Sequence, residues 1–548
     1  MRLRTALLSV SAVLSGCAGP QRAATPLAAS GASAPPPTAV VESAAPLAPV
    51  VAWNDMTPEV FARAKVERKL VVLDGAAEWC HWCHVMDATT YHDPAVVELL
   101  RDKFIAVKVD VDARPDLAER YGDWGWPATV FFSADGDEVG KLKGYIDPDR
   151  FAEILRTAAS SVSATAHASE AGTRPTATGP LPEEEIAWIA RMTELELRDY
   201  RDDAEGGWGK WQKAPLAWDD AWALAKARRG DEAAKKHALL TLDKERALID
   251  PVWGGMYQYS AGSDWTHPHF EKLMEVQAGA IEVYAEAYAL THDAKWLEPA
   301  RAGVGYVARF MTGPDGGFYT TEDADLNAHE VGKTFVDGHT YYAKNEHDRL
   351  ALGVPRIDVH EYGHENGLMI AALATFFEAT HDSATLAAAE KAAARVLASH
   401  GTPGGGLFHD VVRPEVTSAY LADNAAMAWG LVRLYEVTNR VEHLDAAAKI
   451  ADFMVKELYD AKLGGFAAVT AEDGGVGVFA TRRIPFEENA IAIRAVSHIA
   501  RAKKTTAYRD VLSSSLRAIA TPDAIKARGR MLGAFLFAVD EMSGAAVR

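Results

Sequence analysis

Leu70-Val71-Val72-Leu73-Asp74-Gly75-Ala76-Ala77-Glu78-Trp79-Cys80-His81-Trp82-Cys83-His84 is the stretch on which the reading of this 548-residue chain turns. The apolar run Leu70 to Asp74 predicts a short strand, and a helix is expected to start at the cysteines. Two thiols three residues apart at a helix start can close a disulfide across one turn, and the helix N-terminus favours the thiolate of the first. Cys80 is therefore expected as the exposed nucleophile and Cys83 as the resolving thiol. The chain has three cysteines and the third is Cys17, so a structural disulfide scaffold is excluded.

Towards the N-terminus, Met1-Arg2-Leu3-Arg4 puts two positive charges ahead of the apolar run Ala6 to Leu14, the plan of an export signal. The run is too short to span a bilayer. It ends in Leu14-Ser15-Gly16-Cys17, which resembles a bacterial lipobox; the resemblance implies cleavage before Cys17 and a lipid on its thiol. An ordinary signal with a chance cysteine is the competing reading. By the same resemblance Ala18, where an Asp would retain the protein, favours a periplasm-facing lipoprotein of the outer membrane. Ala, Pro, Ser and Thr dominate the next stretch, which cannot bury enough surface to offset its ordering entropy. The expected organisation is a signal at 1–16, a disordered tether at 17–49, a small domain at 50–160, a linker at 161–182 and a large domain at 183–548. A formal charge of -19 leaves no basic stripe for phosphates, so no nucleic acid is expected as a partner.

In the small domain, Thr57-Pro58-Glu59 predicts a helix start, Phe104 to Asp110 a second strand and Pro115 to Tyr121 a short helix. Ala128 to Phe132 reads as a strand, Ala134-Asp135-Gly136-Asp137 as a turn into another strand, and Pro148 to Ala159 as a closing helix. This βαβαββα order is that of a thioredoxin-like domain, and Asp74 through Cys80 resembles the thioredoxin segment of a buried acid followed by Trp-Cys. The resemblance implies that Asp74 relays the proton of the resolving cysteine. It also implies that Pro127, in Trp126-Pro127, is a cis-proline that faces the disulfide and holds partner chains. His81-Trp82 stands where thioredoxin has Gly-Pro, so Trp79, His81, Trp82 and His84 are expected to tune the pair, and neither potential nor direction carries over. A positive His81 would make the pair more oxidising. Two other readings stand: metal binding by Cys80 and Cys83 with His81 or His84, and a relic fold used for docking. Since zinc sites of this kind need a second ligand pair, no metal and no cofactor is expected.

The large domain reads as helix after helix, with apolar residues three and four apart. A Gly-Gly loop followed within a few residues by an aromatic recurs at Gly206-Gly207, Gly254-Gly255, Gly316-Gly317, Gly404-Gly405-Gly406 and Gly464-Gly465. That spacing suits a toroid of stacked helical hairpins, an (α/α)6 barrel. Trp79-Cys80-His81-Trp82-Cys83-His84-Val85-Met86 resembles the spermatogenesis-associated thioredoxin-domain family, whose members join this domain to a barrel of the six-hairpin glycosidase type. Further matches are Pro268-His269-Phe270-Glu271-Lys272, Gly316-Gly317-Phe318-Tyr319 with Glu322-Asp323-Ala324-Asp325, Asn366-Gly367-Leu368-Met369-Ile370, Asp423, and a weaker Pro485 with Asn489. The chain departs from the family around Val331 to Asp358.

Loop residues of a toroid converge on one mouth, so His267, His269, Glu271, Glu322, Asp323 and Asp325 are expected to share a cavity with Trp253, Tyr257, Tyr259 and Trp265. Carboxylates among aromatic platforms suit a saccharide, with Asp323 or Asp325 and Glu271 as acid and base; the structural alternative is helix capping. His267 and His269 with Glu271 also form a metal-ligand pattern. His360-Glu361-Tyr362-Gly363-His364 spells H-E-x-x-H, but Gly363 and Gly367 predict a loop before a helix at Gly367 to Thr380, against a zinc-dependent hydrolase. Two functions are carried forward, with a purely structural interaction role should neither hold and a zinc-dependent hydrolase as a remote alternative. One is a thiol-disulfide oxidoreductase acting on periplasmic protein thiols or disulfides, held to the membrane by an N-terminal lipid. The other is a carbohydrate-active or carbohydrate-binding barrel with an accessory thioredoxin domain.

Overall fold

The computed structural model describes residues 50–122, 125–160, 180–330, 332–412, 418–470 and 475–543. Cys17, the signal, the tether at 17–49 and residues 161–179 of the expected linker lie outside them. Among the described residues no helix is long and apolar enough to cross a membrane.

The N-terminal half runs α1 (Pro58–Glu67), β1 (Leu70–Ala76), α2 (His81–Ala88), α3 (Pro94–Lys103), β2 (Phe104–Asp110), α4 (Pro115–Tyr121), β3 (Ala128–Phe132), β4 (Glu138–Lys143) and α5 (Pro148–Ser160). The sheet order is β2-β1-β3-β4, with β1 parallel to β2 and antiparallel to β3. Every residue of β1 and β3 is buried, as strands covered on both faces require. Pro58, Pro94, Pro115 and Pro148 each open a helix, where the missing N–H loses nothing. The half is thioredoxin-like.

The C-terminal half begins with α6 (Glu183–Asp199), α7 (Ala217–Arg228), α8 (Glu232–Glu245), α9 (Met274–Thr291) and α10 (Ala294–Phe310). The short α11 (Gly338–Tyr342) and α12 (Glu346–Leu352) precede α13 (Gly363–Thr380), α14 (Ser383–Ser399), α15 (Leu421–Thr438) and α16 (Val441–Phe453). It closes with α17 (Phe486–Lys503), α18 (Arg509–Ile519), α19 (Pro522–Arg528) and α20 (Gly533–Met542). Helices α7, α9, α13, α15, α17 and α20 contact one another in that order, and α20 returns to α7, closing an inner ring. Each inner helix carries an outer one: α8, α10, α14, α16, α18 and, on α20, α6. This is an (α/α)6 barrel. Where α13 meets α15, a Cβ on Gly367 would lie 2.3 Å from the Ala426 carbonyl carbon, so only glycine permits that approach.

The hairpins are built from a repeated chemistry. Inner helices α9, α13 and α15 end in a left-handed residue, His292, His381 and Asn439, and Asp293 and Asp382 then cap the next outer helix through the amides of Lys295 and Ala384. Each Gly-Gly loop turns back into a small β-bridge, with Gly254 and Gly255 at φ 73° and 76°. An inner-helix amide then clamps the residue after it on both backbone groups. Gln277 clamps Met256, Asn366 clamps Phe318, Asn424 clamps Leu407 and Asn489 clamps Phe466, all at 2.7–3.0 Å.

The two halves pack as one compact unit. One contact seats Phe479 against Phe61 and Phe132, with the Val478 amide donating to the Gly136 carbonyl and Arg483 forking onto Glu119. The other contact is made by the cysteine motif itself.

Candidate functional site

Cys80 is the N-cap of α2, where its Sγ accepts from the Cys83 amide at 3.2 Å, and the two are joined as a disulfide with Cα atoms 5.2 Å apart. The Trp126–Pro127 peptide is cis. Since Gly75 pairs with Ala128, Pro127 comes to the end of β1 from which the chain enters the motif. Asp74 is buried in β1, and burial, opposed by the Lys108 ammonium 3.6 Å away, pushes its carboxyl up to about 6. Cys80, Cys83, Asp74 and Pro127 thus stand on adjoining elements.

The pair is closed in rather than open: Cys80 and Cys83 are each 4% exposed, against the expectation of an exposed nucleophile. Leu273 of the barrel joins the apolar cluster of Ala76, Ala77, Trp79, Val111 and the two cysteines, and Val276 packs on it. Polar contacts frame that seam. His81 Nδ1 donates to Asp325 Oδ2 at 2.6 Å, and this bond raises the His81 pKa. Burial pushes Asp325 up, but the His81 bond and the nearby His84 imidazole, 3.7 Å away, outweigh it and hold the carboxyl well below the usual range. Trp79 Nε1 donates to Asp112 Oδ2 at 2.7 Å, while His409 reaches the Asp112 carbonyl at 2.7 Å and Asp423 at 2.9 Å. Burial works against the charge on His409, but Asp423 prevails and raises it to about 9. Arg356 pairs with Glu78 at 2.6 Å. Trp82 alone of the motif faces solvent, tilted against Tyr145.

The remaining expected residues do not share one cavity. Glu322 points into a fully buried nest in which Lys272 binds Asp250 and Glu322, Arg349 binds Asp250, and Tyr306 and Tyr342 donate to Glu322. Trp253 and Tyr257 are walls of that nest, facing the two cations. Asp323 and Asp325 turn the other way, towards α2. His269 stacks on Tyr259 with Glu271 3.8 Å off, His267 pairs with Asp264 in an exposed loop, and Trp265 donates to the Glu205 carbonyl. The aromatic and acidic residues are thus divided among separate clusters instead of lining one mouth.

The H-E-x-x-H segment is also corrected. Helix α13 starts at Gly363, not Gly367, because its first amides find Asp423 and the His409 carbonyl outside the helix. His360 lies before the helix and pairs with Asp358, Glu361 pairs with Arg395, and His364 is in the first turn. The two histidines share no helical face, so the zinc-hydrolase reading is withdrawn. His364 instead lines a cavity of about 170 Å³ inside the inner ring, with Trp218, Glu275, Glu282, Glu487 and Met531. Burial raises Glu275, and burial with the neighbouring Glu286 raises Glu282 to about 7. Sequence reading missed this chamber, along with His329, Arg356 and His409. Its carboxylates sit on helices otherwise read as core: Glu275 and Glu487 are in the first turns of α9 and α17, and Glu282 is within α9.

Residues 45–160 match the family Thioredox_DsbH, described as a protein of unknown function, DUF255. The chain is similar to uncharacterized protein B0495.5 of Caenorhabditis elegans, 26% identical over 74% of this chain and 63% of that one. It is similar to human spermatogenesis-associated protein 20, 27% identical over 50% of this chain and 39% of that one, so it spans less than two thirds of these relatives' lengths. Thioredoxin H4 of Arabidopsis thaliana is 34% identical over 19% of this chain and 83% of its own. Among solved structures, cellobiose 2-epimerase from Spirochaeta thermophila aligns at a TM-score of 0.49 and 13% identity, covering 66% of this chain and 98% of that one.

Proposed function

We propose, from the premise that this chain belongs to the spermatogenesis-associated thioredoxin-domain family, that it is a thiol-disulfide oxidoreductase whose dithiol works beneath the barrel. The observation that carries the reading is the Cys80–Cys83 pair at the start of α2, flanked by cis-Pro127 and by a buried Asp74. In the oxidising direction a partner thiolate attacks Cys80 Sγ, a mixed disulfide forms and Cys83 leaves as thiolate. A second partner thiolate then attacks the partner sulfur, releasing Cys80 as thiolate and the partner as disulfide. In the reducing direction the Cys80 thiolate attacks the partner disulfide and expels one partner thiolate; Cys83, its proton passed to Asp74, then attacks Cys80 Sγ, releasing the second partner thiolate and closing the Cys80–Cys83 disulfide. An acid of about 6 is suited to exchanging that proton near neutrality. With both cysteines 4% exposed and covered by Leu273 of the barrel, the partner reaches them when this seam opens. The signal-like pattern at Met1 to Leu14 and the lipobox-like Cys17 support a periplasm-facing site of action, tethered by lipid; labelling by radioactive palmitate, lost in Cys17→Ser, tests it.

The decisive measurement is the Cys80/Cys83 reduction potential by glutathione titration, with Cys80→Ser as control. A defined two-electron transition supports the reading, and failure to form and reduce the bond reversibly refutes it. Cys83→Ser should accumulate the mixed disulfide.

A saccharide ligand for the barrel is the second reading. The chamber of Trp218, Glu275, Glu282 and Glu487 favours it, placing the ligand deeper than the loop residues first expected. A rise in Tm with mono- or disaccharides, lost in Glu282→Gln, supports it; no shift with any sugar refutes it.

A further inference from the structure

Where α2 meets the barrel, four electron-pair donors face one another. His84 Nε2 and His329 Nε2 both lie 2.8 Å from the Glu78 carbonyl oxygen. The same two nitrogens lie 3.7 and 3.5 Å from Asp323 Oδ2. The imidazoles cross at 88° with centroids 4.4 Å apart, and their Nε2 atoms converge on the Glu78 carbonyl. His84, Asp323 and His329 offer ligand atoms within 4.8 Å of one another. A tetrahedral zinc ion with bonds of about 2.0–2.1 Å needs donors roughly 3.3–3.4 Å apart. The observed edges bracket that value.

The local hydrogen bonding is poor without a cation. Each Nε2 must then carry a proton to approach the same carbonyl. His84 Nδ1 and Asp323 Oδ2 are buried and, among the described residues, find no hydrogen-bond partner. The His84 side chain is 9% exposed and that of Asp323 2%, so water does not readily make up the loss. A cation resolves both defects. The Nε2 lone pairs and Oδ2 turn onto the ion, and the His84 proton moves to Nδ1, which lies 3.7 Å from Asp325 Oδ2. A carboxylate behind the second nitrogen is the usual means of orienting a metal-bound imidazole.

We propose that His84, His329, Asp323 and the Glu78 carbonyl bind one zinc ion that staples the redox loop to the barrel. Two imidazoles with one carboxylate select zinc over magnesium or calcium, which prefer all-oxygen sites. Glu78 and His84 flank the cysteine pair while Asp323 and His329 belong to the barrel, so the ion holds the dithiol in its covered position. No thiolate is required, which separates this site from metal binding by Cys80 and Cys83.

The test uses the full chain, chelator-stripped and oxidised so that neither cysteine can ligate, titrated with Zn²⁺ by calorimetry and with Co²⁺ by visible absorption. The expected result is one ion per chain with a tetrahedral cobalt spectrum, retained in Cys80→Ser/Cys83→Ser. Affinity should fall at least tenfold in His329→Ala, whose ring is partly exposed and whose loss leaves the cores intact, and also in Asp323→Asn. Asp325→Asn should weaken binding less. Absence of binding by the oxidised protein, wild-type affinity in both His329→Ala and Asp323→Asn, or loss of the site in the double cysteine variant would overturn the proposal.

Discussion

Replacing Asp74 by Asn should stabilise the protein at neutral pH and leave it nearly unchanged in acid. The carboxyl is buried between β2 and β3, with Oδ1 lacking a hydrogen-bond partner among the described residues and Lys108 held at 3.6 Å by its own pairing with Asp87. Its proton affinity in the folded state corresponds to about 6, against 3.8 for a free aspartate. At roughly 1.4 kcal/mol per tenfold in proton affinity, carrying the charge in that site costs about 3 kcal/mol. The sign follows from where the proton sits. Below the unfolded value both states are protonated and the penalty is absent; between 3.8 and about 6 the folded state alone holds the proton and stability falls as pH rises; above about 6 the full penalty applies. Asn mimics the protonated form, so Asp74→Asn minus wild type should be near zero in acid and about 3 kcal/mol above neutrality. Taking the difference at each pH cancels every other titrating group. Urea unfolding followed by tryptophan fluorescence reads it, and glutathione exchange should show a slower Cys83 step in the same variant. A variant less stable at both pH values would refute the argument, because it would mean that the charged carboxylate is held by interactions stronger than its desolvation.

Other perturbations have equally definite outcomes. Asn424→Ala removes the clamp on Leu407 and strands a buried amide and carbonyl, so it should cost about 2–5 kcal/mol in urea unfolding. Lys272→Met leaves Asp250 and Glu322 buried with fewer cations, and a loss of about 3–5 kcal/mol is expected; a neutral result would mean the nest tolerates an apolar core. His409, raised to about 9 from 6.5, contributes stability that is complete below 6.5 and lost as pH rises through about 9. Wild type minus His409→Gln should therefore shrink by about 3 kcal/mol across that window. Arg356→Ala removes a half-exposed pair with Glu78 and should change stability by less than about 1 kcal/mol.

Much of this molecule was legible from local pattern. The strand Phe104–Asp110, the strand Ala128–Phe132 and the helix Pro115–Tyr121 fall where alternation and proline placed them. The Gly-Gly loops marked the hairpins, because left-handed backbone and tight bridges leave a compositional trace. The partners of Asn366 and Asn489 left none, since each clamp joins an inner helix to a loop residue 23 or 48 positions away. The loop acids show the limit most clearly. Glu322, Asp323 and Asp325 read as one polar cluster, yet in an extended segment neighbours point to opposite sides, so Glu322 enters the cation nest while Asp323 and Asp325 meet α2. Their partners are also remote in sequence: His81 lies 244 residues from Asp325, and His409 lies 297 from Asp112. A covered dithiol could not be foreseen, because each half alone has the composition of an ordinary domain.

The covered disulfide bears on turnover. In the proposed reaction a partner would meet Cys80 only in the fraction of molecules in which the seam has opened, so the observed exchange rate would be the rate of an uncovered pair multiplied by that fraction. Each 1.4 kcal/mol by which the seam favours closure slows exchange about tenfold at every partner concentration below saturation. Mutations far from sulfur, at His409 or Phe479, then act as rate mutations while leaving the equilibrium potential of the pair nearly untouched, whereas Asp325, bonded to His81 beside Cys80, bears on both. The barrel would in this way serve as a governor on the dithiol, setting how often it is seen rather than what it can do.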